Sequence, residues 1–404
     1  MSCNRLHGFG GRISDKGAGT AFTVREDDID ASRRRFSLRG PVSVKAATIR
    51  DVAERAGVSV ASVSRVLNGA DPVSDATRAR VLEATTALEY VPHSGARSLS
   101  TSRTQTVGVI LPDLYGEFFS ELIRGMDVAA RVHGYHLIVS SSHDDADEAS
   151  AAIRSMRGRV DGLIVLSPHL DAAKLTASLA GRLPVLLMNG GARDAGRPSV
   201  VVDNHGGAVA AVEHLLATGR RRIAHVAGPA GNIEAEARLA GYLEAVTRGG
   251  LTPIVVEGDF TQASGHRVGA ILARHASRPD AVFAANDIMA IGAMLALQEA
   301  GVRCPEDVAM VGFDDVPLAE LVRPALTTLR IRIVDMGRNA LERLVRIIES
   351  AGSDVADTAC EVVRPELVVR PSSKPAIPTI TPRAGASAPV VSDMTSFKGE
   401  DHNV

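Results

Sequence analysis

The stretch "TIRDVAERAGVSVASVSRVLNG", residues 48–69, decides how the chain begins its fold. Its apolar residues recur at helical spacing, first as Ile49, Val52, Ala53 and Ala56, then as Val63, Val66 and Leu67. Gly57 stands between the two sets, where it can take the positive φ of a tight turn between helices. Ala53 is small enough to let the second helix pass close, and Ser59 is placed to cap it. That second helix turns Val63, Val66 and Leu67 inward and leaves Val60, Ala61, Ser62, Ser64 and Arg65 outward. Small side chains around one arginine suit the major groove of DNA: the helix can approach closely, methyl groups can meet thymine, and a guanidinium can bond guanine twice. Read on spacing alone, the same residues also fit a helical hairpin with a solvated polar face.

Working outward, "PVSDATRARVLEATTALEYVP", residues 72–92, predicts a third helix with Val81, Ala84 and Leu88 inward, Ser74 as its cap and Pro92 as its stop. Residues 45–92 therefore predict a small all-α helix-turn-helix unit. Beyond Thr106 the texture changes to apolar runs separated by helix-length segments such as "EFFSELIRGMDVAARVHG". The runs are "VGVIL", "HLIVS", "GLIVL", "PVLLM", "SVVV", "RIAHVAG", "PIVVEG", "DAVFAA" and "DVAMVGF". Continuous apolar strands with crossover helices imply parallel sheets buried on both faces. They are too many for one comfortable sheet, and "VVVDNHGG" reads as a crossing between two doubly wound halves. Ligands of such folds bind outside the carboxyl ends of the strands, so the expected site is a cleft between the halves.

Composition bounds the rest. With 404 residues, 45% of them hydrophobic, the chain can fill several cores, and its formal net charge of −2 neither supports nor excludes a nucleic-acid partner. Cys3, Cys304 and Cys360 lie far apart without a CxxC spacing, which fits a reducing compartment and gives no metal cage. No apolar run approaches the roughly 18 residues of a spanning helix, and residues 1–44 lack a signal peptide's apolar stretch, so the cytoplasm is expected, with no membrane partner. Residues 1–44 read as disordered, or as an upstream extension from a mis-assigned start, and residues 374–404, rich in Pro, Ser and Thr, as a loose tail.

His133, His136, His143, Asp144, Asp145 and Asp147 are close in sequence, but His136 leads into a strand and the acidic run reads as a solvated loop. "AGPAGN", residues 227–232, lacks the GK[ST] of a phosphate loop and is expected at the lip of the cleft. There is no GxSxG, HExxH or repeated-carboxylate constellation. Neither an enzyme nor a cofactor or metal protein is predicted.

At this point the chain is seen to resemble bacterial transcription regulators of the lactose/galactose repressor family. The resemblance runs from about Thr48 to Ser373. It rests on residues 48–68, on "YVPHSGARSLSTSRT", and on "FFSELIRGM", "AVEHLL", "RLAGY", "AANDIMAIGA", "PEDVAMVGFDDVPLAELVRPALTTLR" and "PELVVRPSS". It implies a bilobed periplasmic-binding-protein-like core over residues 106–373 and a hinge over residues 93–105. DNA contacts are implied at Thr48, Ser59, Val60, Ala61, Ser62, Ser64, Arg65 and Asn68, with Ala96 in the hinge and Leu99 there as a wedge in the minor groove. Gly95 weakens the hinge's intrinsic helicity by about 1 kcal/mol relative to Ala, which favours folding on DNA; His93 and Gly95 depart from the family's usual residues. Val60-Ala61 resembles the base-reading pair of galactose-type members, which implies a palindromic operator with a central CG step. Effector contacts are implied at Phe118, Phe119, Asn189, Arg238, Phe260 and Asp287; read on their own, Asp287 also fits a helix cap, Arg238 a pair with Glu234 on its own helix, and the phenylalanines a core. Arginine and aspartate bonding vicinal hydroxyls beside aromatic faces suit a carbohydrate. The prolines after Lys374 and the absence of a leucine heptad point to a homodimer rather than a tetramer. The other function weighed is a solute-binding protein of a transport system, which shares the bilobed core but needs a signal peptide and has no use for residues 48–92.

Overall fold

A computed structural model of the chain describes residues 47–68, 73–91, 103–143, 145–166, 183–188, 196–350 and 358–374. The chain divides into two compact units after His93.

The first unit holds helices α1 (Ile49–Ala56), α2 (Val60–Leu67) and α3 (Asp75–Ala87), and the last two begin at the Ser59 and Ser74 caps that the sequence places. Thr48 and Asp51 close a capping box on α1, Ser59 Oγ accepts from Ser62 N at 3.1 Å, and Ser74 Oγ accepts from Thr77 N at 3.4 Å. Gly57 sits at φ 63°, ψ 40°, the left-handed turn that a side chain would strain. The core is built of small residues, Val52, Ala53, Ala56, Val63, Val66, Val81 and Ala84, closed by Tyr90; Leu67 and Leu88 pack at its margin, half-buried.

The second unit holds two parallel sheets. The larger has the order β11-β5-β4-β3-β1-β2, from β1 (Thr106–Leu111), β2 (His136–Ser141), β3 (Gly162–Leu166), β4 (Val185–Met188), β5 (Ser199–Val202) and β11 (Cys360–Val363). The smaller has the order β7-β6-β8-β9, from β6 (Ile223–Ala227), β7 (Ile254–Glu257), β8 (Ala281–Ala284) and β9 (Ala309–Val311). An antiparallel pair, β10 (Thr328–Arg330) with β12 (Glu366–Val368), completes the strands. All nine apolar runs form strands, the inner ones buried on both faces and the edge strands β2 and β7 exposing alternate residues. On β1, Val109 and Leu111 join one core cluster, with Leu122, Met126, Leu186 and Leu341, while Ile110 joins another, with Ile153, Leu163 and Leu187. Short β10, β11 and β12 carry no comparable run and were not expected as strands.

Among the described residues of this unit the helices are α4 (Glu117–Val132), α5 (Ala146–Met156), α6 (Asn204–Ala217), α7 (Ile233–Arg248), α8 (Gln262–Arg274), α9 (Asp287–Glu299), α10 (Pro317–Leu321) and α11 (Ile333–Glu349). The chain passes between the sheets three times: from β5 into α6, from β10 into α11, and from β11 into β12. No helix among the described residues is long and apolar enough to cross a membrane.

Candidate DNA-reading helix and ligand cleft

On α2 the inward residues Val63 and Val66 are buried, and Val60, Ala61 and Arg65 are exposed. Several expected DNA-contact residues also serve the unit itself. Thr48 N bonds Asp51 Oδ2 at 2.7 Å within the capping box, Ser59 Oγ lies 2.9 Å from Ser62 Oγ, and Asn68 Nδ2 donates to Ser64 Oγ at 3.2 Å. Ser62 and Ser64 are half-buried, so the free outward face narrows to Val60, Ala61 and Arg65. Ala96 and Leu99 lie outside the described residues.

In the second unit a cleft of about 200 Å³ opens at the carboxyl ends of strands from both sheets. Phe118 and Phe119 line it from the first turn of α4, their rings edge-to-face at 5.2 Å. Phe260 lines it after β7, held at φ 66°. Pro229 and Asn232 line it too, which places "AGPAGN" at the lip; Asn232 Oδ1 caps α7 by accepting from Glu234 N and Ala235 N.

Arg238 anchors the cleft floor. Its Nε donates to Asn204 Oδ1 at 2.7 Å, its Nη1 to the Ala285 carbonyl, and its guanidinium lies 3.8 Å from the Phe313 ring centroid. Nη2 stands 3.5 Å from Asp314 Oδ1. Asp314 lines the cleft at 6% exposure, and that Oδ1 accepts no hydrogen bond. Burial pushes the Asp314 carboxyl up to about 7, against the opposing pull of Arg238.

Asp287 differs from expectation, since it lies behind the cleft wall and not on it. It is fully buried at the first position of α9; Oδ2 accepts from Val316 N at 2.9 Å and Oδ1 from the Thr328 hydroxyl. A Cβ on Gly312 would come within 2.2 Å of Oδ1, so this close passage requires glycine. Burial, then the charge of Asp314, raises the Asp287 carboxyl well above the usual range. Its neighbours Asn286 and Ile288 face the cleft instead, and Asp314 supplies the carboxylate. Asp314 was legible as the first acid of "FDD" after a strand end, but the strand-to-helix position of Asp287 drew the assignment away from it. Asn189 lies outside the described residues. In the His/Asp run, Asp145 caps α5 through Asp147 N and Glu148 N, and Asp144 is outside the described residues.

A groove-sized helix with an exposed arginine and a two-lobed core with a ligand cleft, carried on one chain, define a DNA-binding transcription regulator. The comparisons agree. Residues 48–93 match the bacterial regulatory proteins of the lacI family, and residues 212–373 match the periplasmic binding protein-like domain. The HTH-type transcriptional repressor PurR of Edwardsiella ictaluri is 35% identical over 333 residues, 81% of this chain and 96% of the relative. The lac repressor dimer bound to operator and the anti-inducer ONPF aligns with TM-score 0.73 at 30% identity, covering 82% of this chain and all of that one. A transcriptional regulator CelR–cellobiose complex aligns with TM-score 0.58 at 33% identity, over 81% and 99%. The chain belongs to the lacI family of bacterial regulatory proteins.

Proposed function

We propose that this protein is a repressor that binds a palindromic operator with a central CG step as a homodimer and changes its operator affinity when a small carbohydrate occupies the cleft. The observation that carries the reading is α2, whose exposed Val60, Ala61 and Arg65 form a narrow base-reading face on a unit stabilised from behind. So short a reader makes few base contacts, and two symmetric copies supply the affinity one lacks. The cleft supports the carbohydrate reading with three phenylalanine faces beside Arg238, Asp314, Asn232 and Asn286; Asn189 joins this set by the family resemblance. Relatives bear on both halves, one being titled as a dimer on operator and another as a cellobiose complex. A transport role leaves the reader helix without a use.

The test is operator binding by two variants. Arg65→Ala is expected to cost about 1 to 3 kcal/mol on the cognate site and little on random DNA. Leu99→Ala is expected to lower operator affinity and DNA bending together, because an apolar wedge acts only in the complex. Equal losses of Arg65→Ala on both DNAs, or an asymmetric protected site, overturn the reading.

A further inference from the structure

Charge is divided unevenly in the cleft. Among the described residues its walls carry five carboxylates, Asp113, Glu117, Glu234, Asp259 and Asp314, and one guanidinium, Arg238. Four of the acids accept hydrogen bonds from neutral donors: Asp113 from Leu114 N and Tyr115 N, Glu117 from Leu318 N, Glu234 from Asn204 Nδ2, and Asp259 from Thr261 N and Oγ1. Such bonds orient a carboxylate without cancelling its charge. Arg238 is turned the other way, its side chain 7% exposed and committed to Asn204, the Ala285 carbonyl, the Phe313 ring and, at 3.5 Å, Asp314, so it faces one of the five acids and leaves the four others without it. The cation is therefore withdrawn while acids stand at the rim.

Asp314 is an independent sign of the same preference. Its Oδ1 is buried without a hydrogen bond, the Arg238 guanidinium standing off at 3.5 Å, in a cleft-lining residue held at φ 112°, a backbone region that non-glycine residues seldom adopt. A buried acceptor lacking a donor is costly, and strain of this kind clusters at ligand sites. A ligand that brings an N–H or O–H completes the site; one that brings an anion worsens it.

We propose that the cleft selects its hydroxylated ligand by charge, taking a ring that bears a protonated amine, of the amino-sugar class, over the neutral analogue and excluding acidic or phosphorylated ones. The inference rests on the carbohydrate reading of the cleft given above. Low-dielectric walls lined by one sign of charge focus the potential on whatever enters, and the faces of Phe118, Phe119 and Phe260 receive both C–H groups and a cation. At an effective dielectric near ~20, one unit charge a few ångströms from a carboxylate changes Kd by about tenfold or more.

The test is calorimetric titration of the full chain with matched sets of hexoses and pentoses, each as the neutral sugar, the amino sugar, the uronate and the phosphate, at low and high salt. The amino form is expected to bind tightest, by about tenfold over the neutral sugar and about a hundredfold over the uronate, with the gap narrowing at high salt. Asp259→Asn, an exposed position, is expected to shrink the gap further. A uronate or phosphate that binds as tightly as its amino counterpart overturns the charge rule and leaves the carbohydrate reading standing. If no sugar binds in any charge form, the carbohydrate reading falls and takes this inference with it.

Discussion

His225 shows how much one core residue can set. It lies at 0% exposure on β6, stacked between Tyr242 and Phe283 with ring centroids 5.0 and 4.9 Å away. Nδ1 is 2.9 Å from the Phe283 carbonyl, which can only accept, so the proton sits on Nδ1 and Nε2 keeps an unpartnered lone pair. Burial holds the imidazole down at about 4. Between its ordinary value of 6.5 and about 4 the unfolded chain binds the extra proton, so this residue's contribution is complete above pH 6.5 and is lost as pH falls toward 4. Asp314 acts with the opposite sign: its raised carboxyl binds the proton in the folded state, so its contribution grows as pH falls from about 7 toward the ordinary carboxylate range. His225→Phe is accordingly expected to flatten acid destabilisation, and Asp314→Asn to steepen it. Denaturant melts of the three proteins from pH 4 to pH 8 decide this, at about 1.4 kcal/mol for each unit of pKa difference removed. Parallel pH profiles for wild type and His225→Phe would show that the ring titrates normally.

At the scale of elements, helix ends carry more of the function than helix middles. Glu117 opens α4 beside the larger sheet, yet its Oε2 accepts from Leu318 N at 3.2 Å, in the first turn of α10 after the smaller sheet. The N-cap of α10, Val316, makes no side-chain cap bond, so one lobe caps a helix of the other across the cleft. Glu117→Ala is expected to speed amide exchange at Leu318 about tenfold or more, whereas Glu117→Gln keeps an acceptor and most of the protection. Equal exchange in both variants would remove Glu117 from lobe closure. This contact was not legible in the sequence, because the residues are about two hundred positions apart along the chain and no local pattern pairs them. What was legible is local: the Ser59 and Ser74 caps, the Gly57 turn, and the nine apolar runs. The cleft was legible through its aromatic residues and Arg238. The sequence misassigned Asp287, because whether a carboxylate at a helix start points into a cleft or beneath its wall depends on the segment crossing behind it, here Gly312 to Val316.

For the whole molecule, the outer edges are as informative as the cleft. Val128 and Val132 on α4 and Ile138 on the edge strand β2 are exposed, and so are Val255 on the edge strand β7, Ile271 on α8 and Leu295 on α9. Apolar residues beside open sheet edges on both lobes fit the surface a homodimer covers. Val132→Glu with Ile271→Glu is expected to move the sedimentation of the full chain toward monomer and weaken operator binding with it; a variant that sediments as the wild type would put the interface elsewhere. The three passages of the chain between the sheets bear on synthesis as well as on motion. Because β11 forms the edge of a sheet begun by β1, and α11 packs against that sheet's core, the first lobe is not encoded by any contiguous stretch. A ribosome must deliver residues up to Val363 before that sheet can close. Until then the nascent core stays incomplete, so no truncated product ending earlier inherits even the first lobe whole.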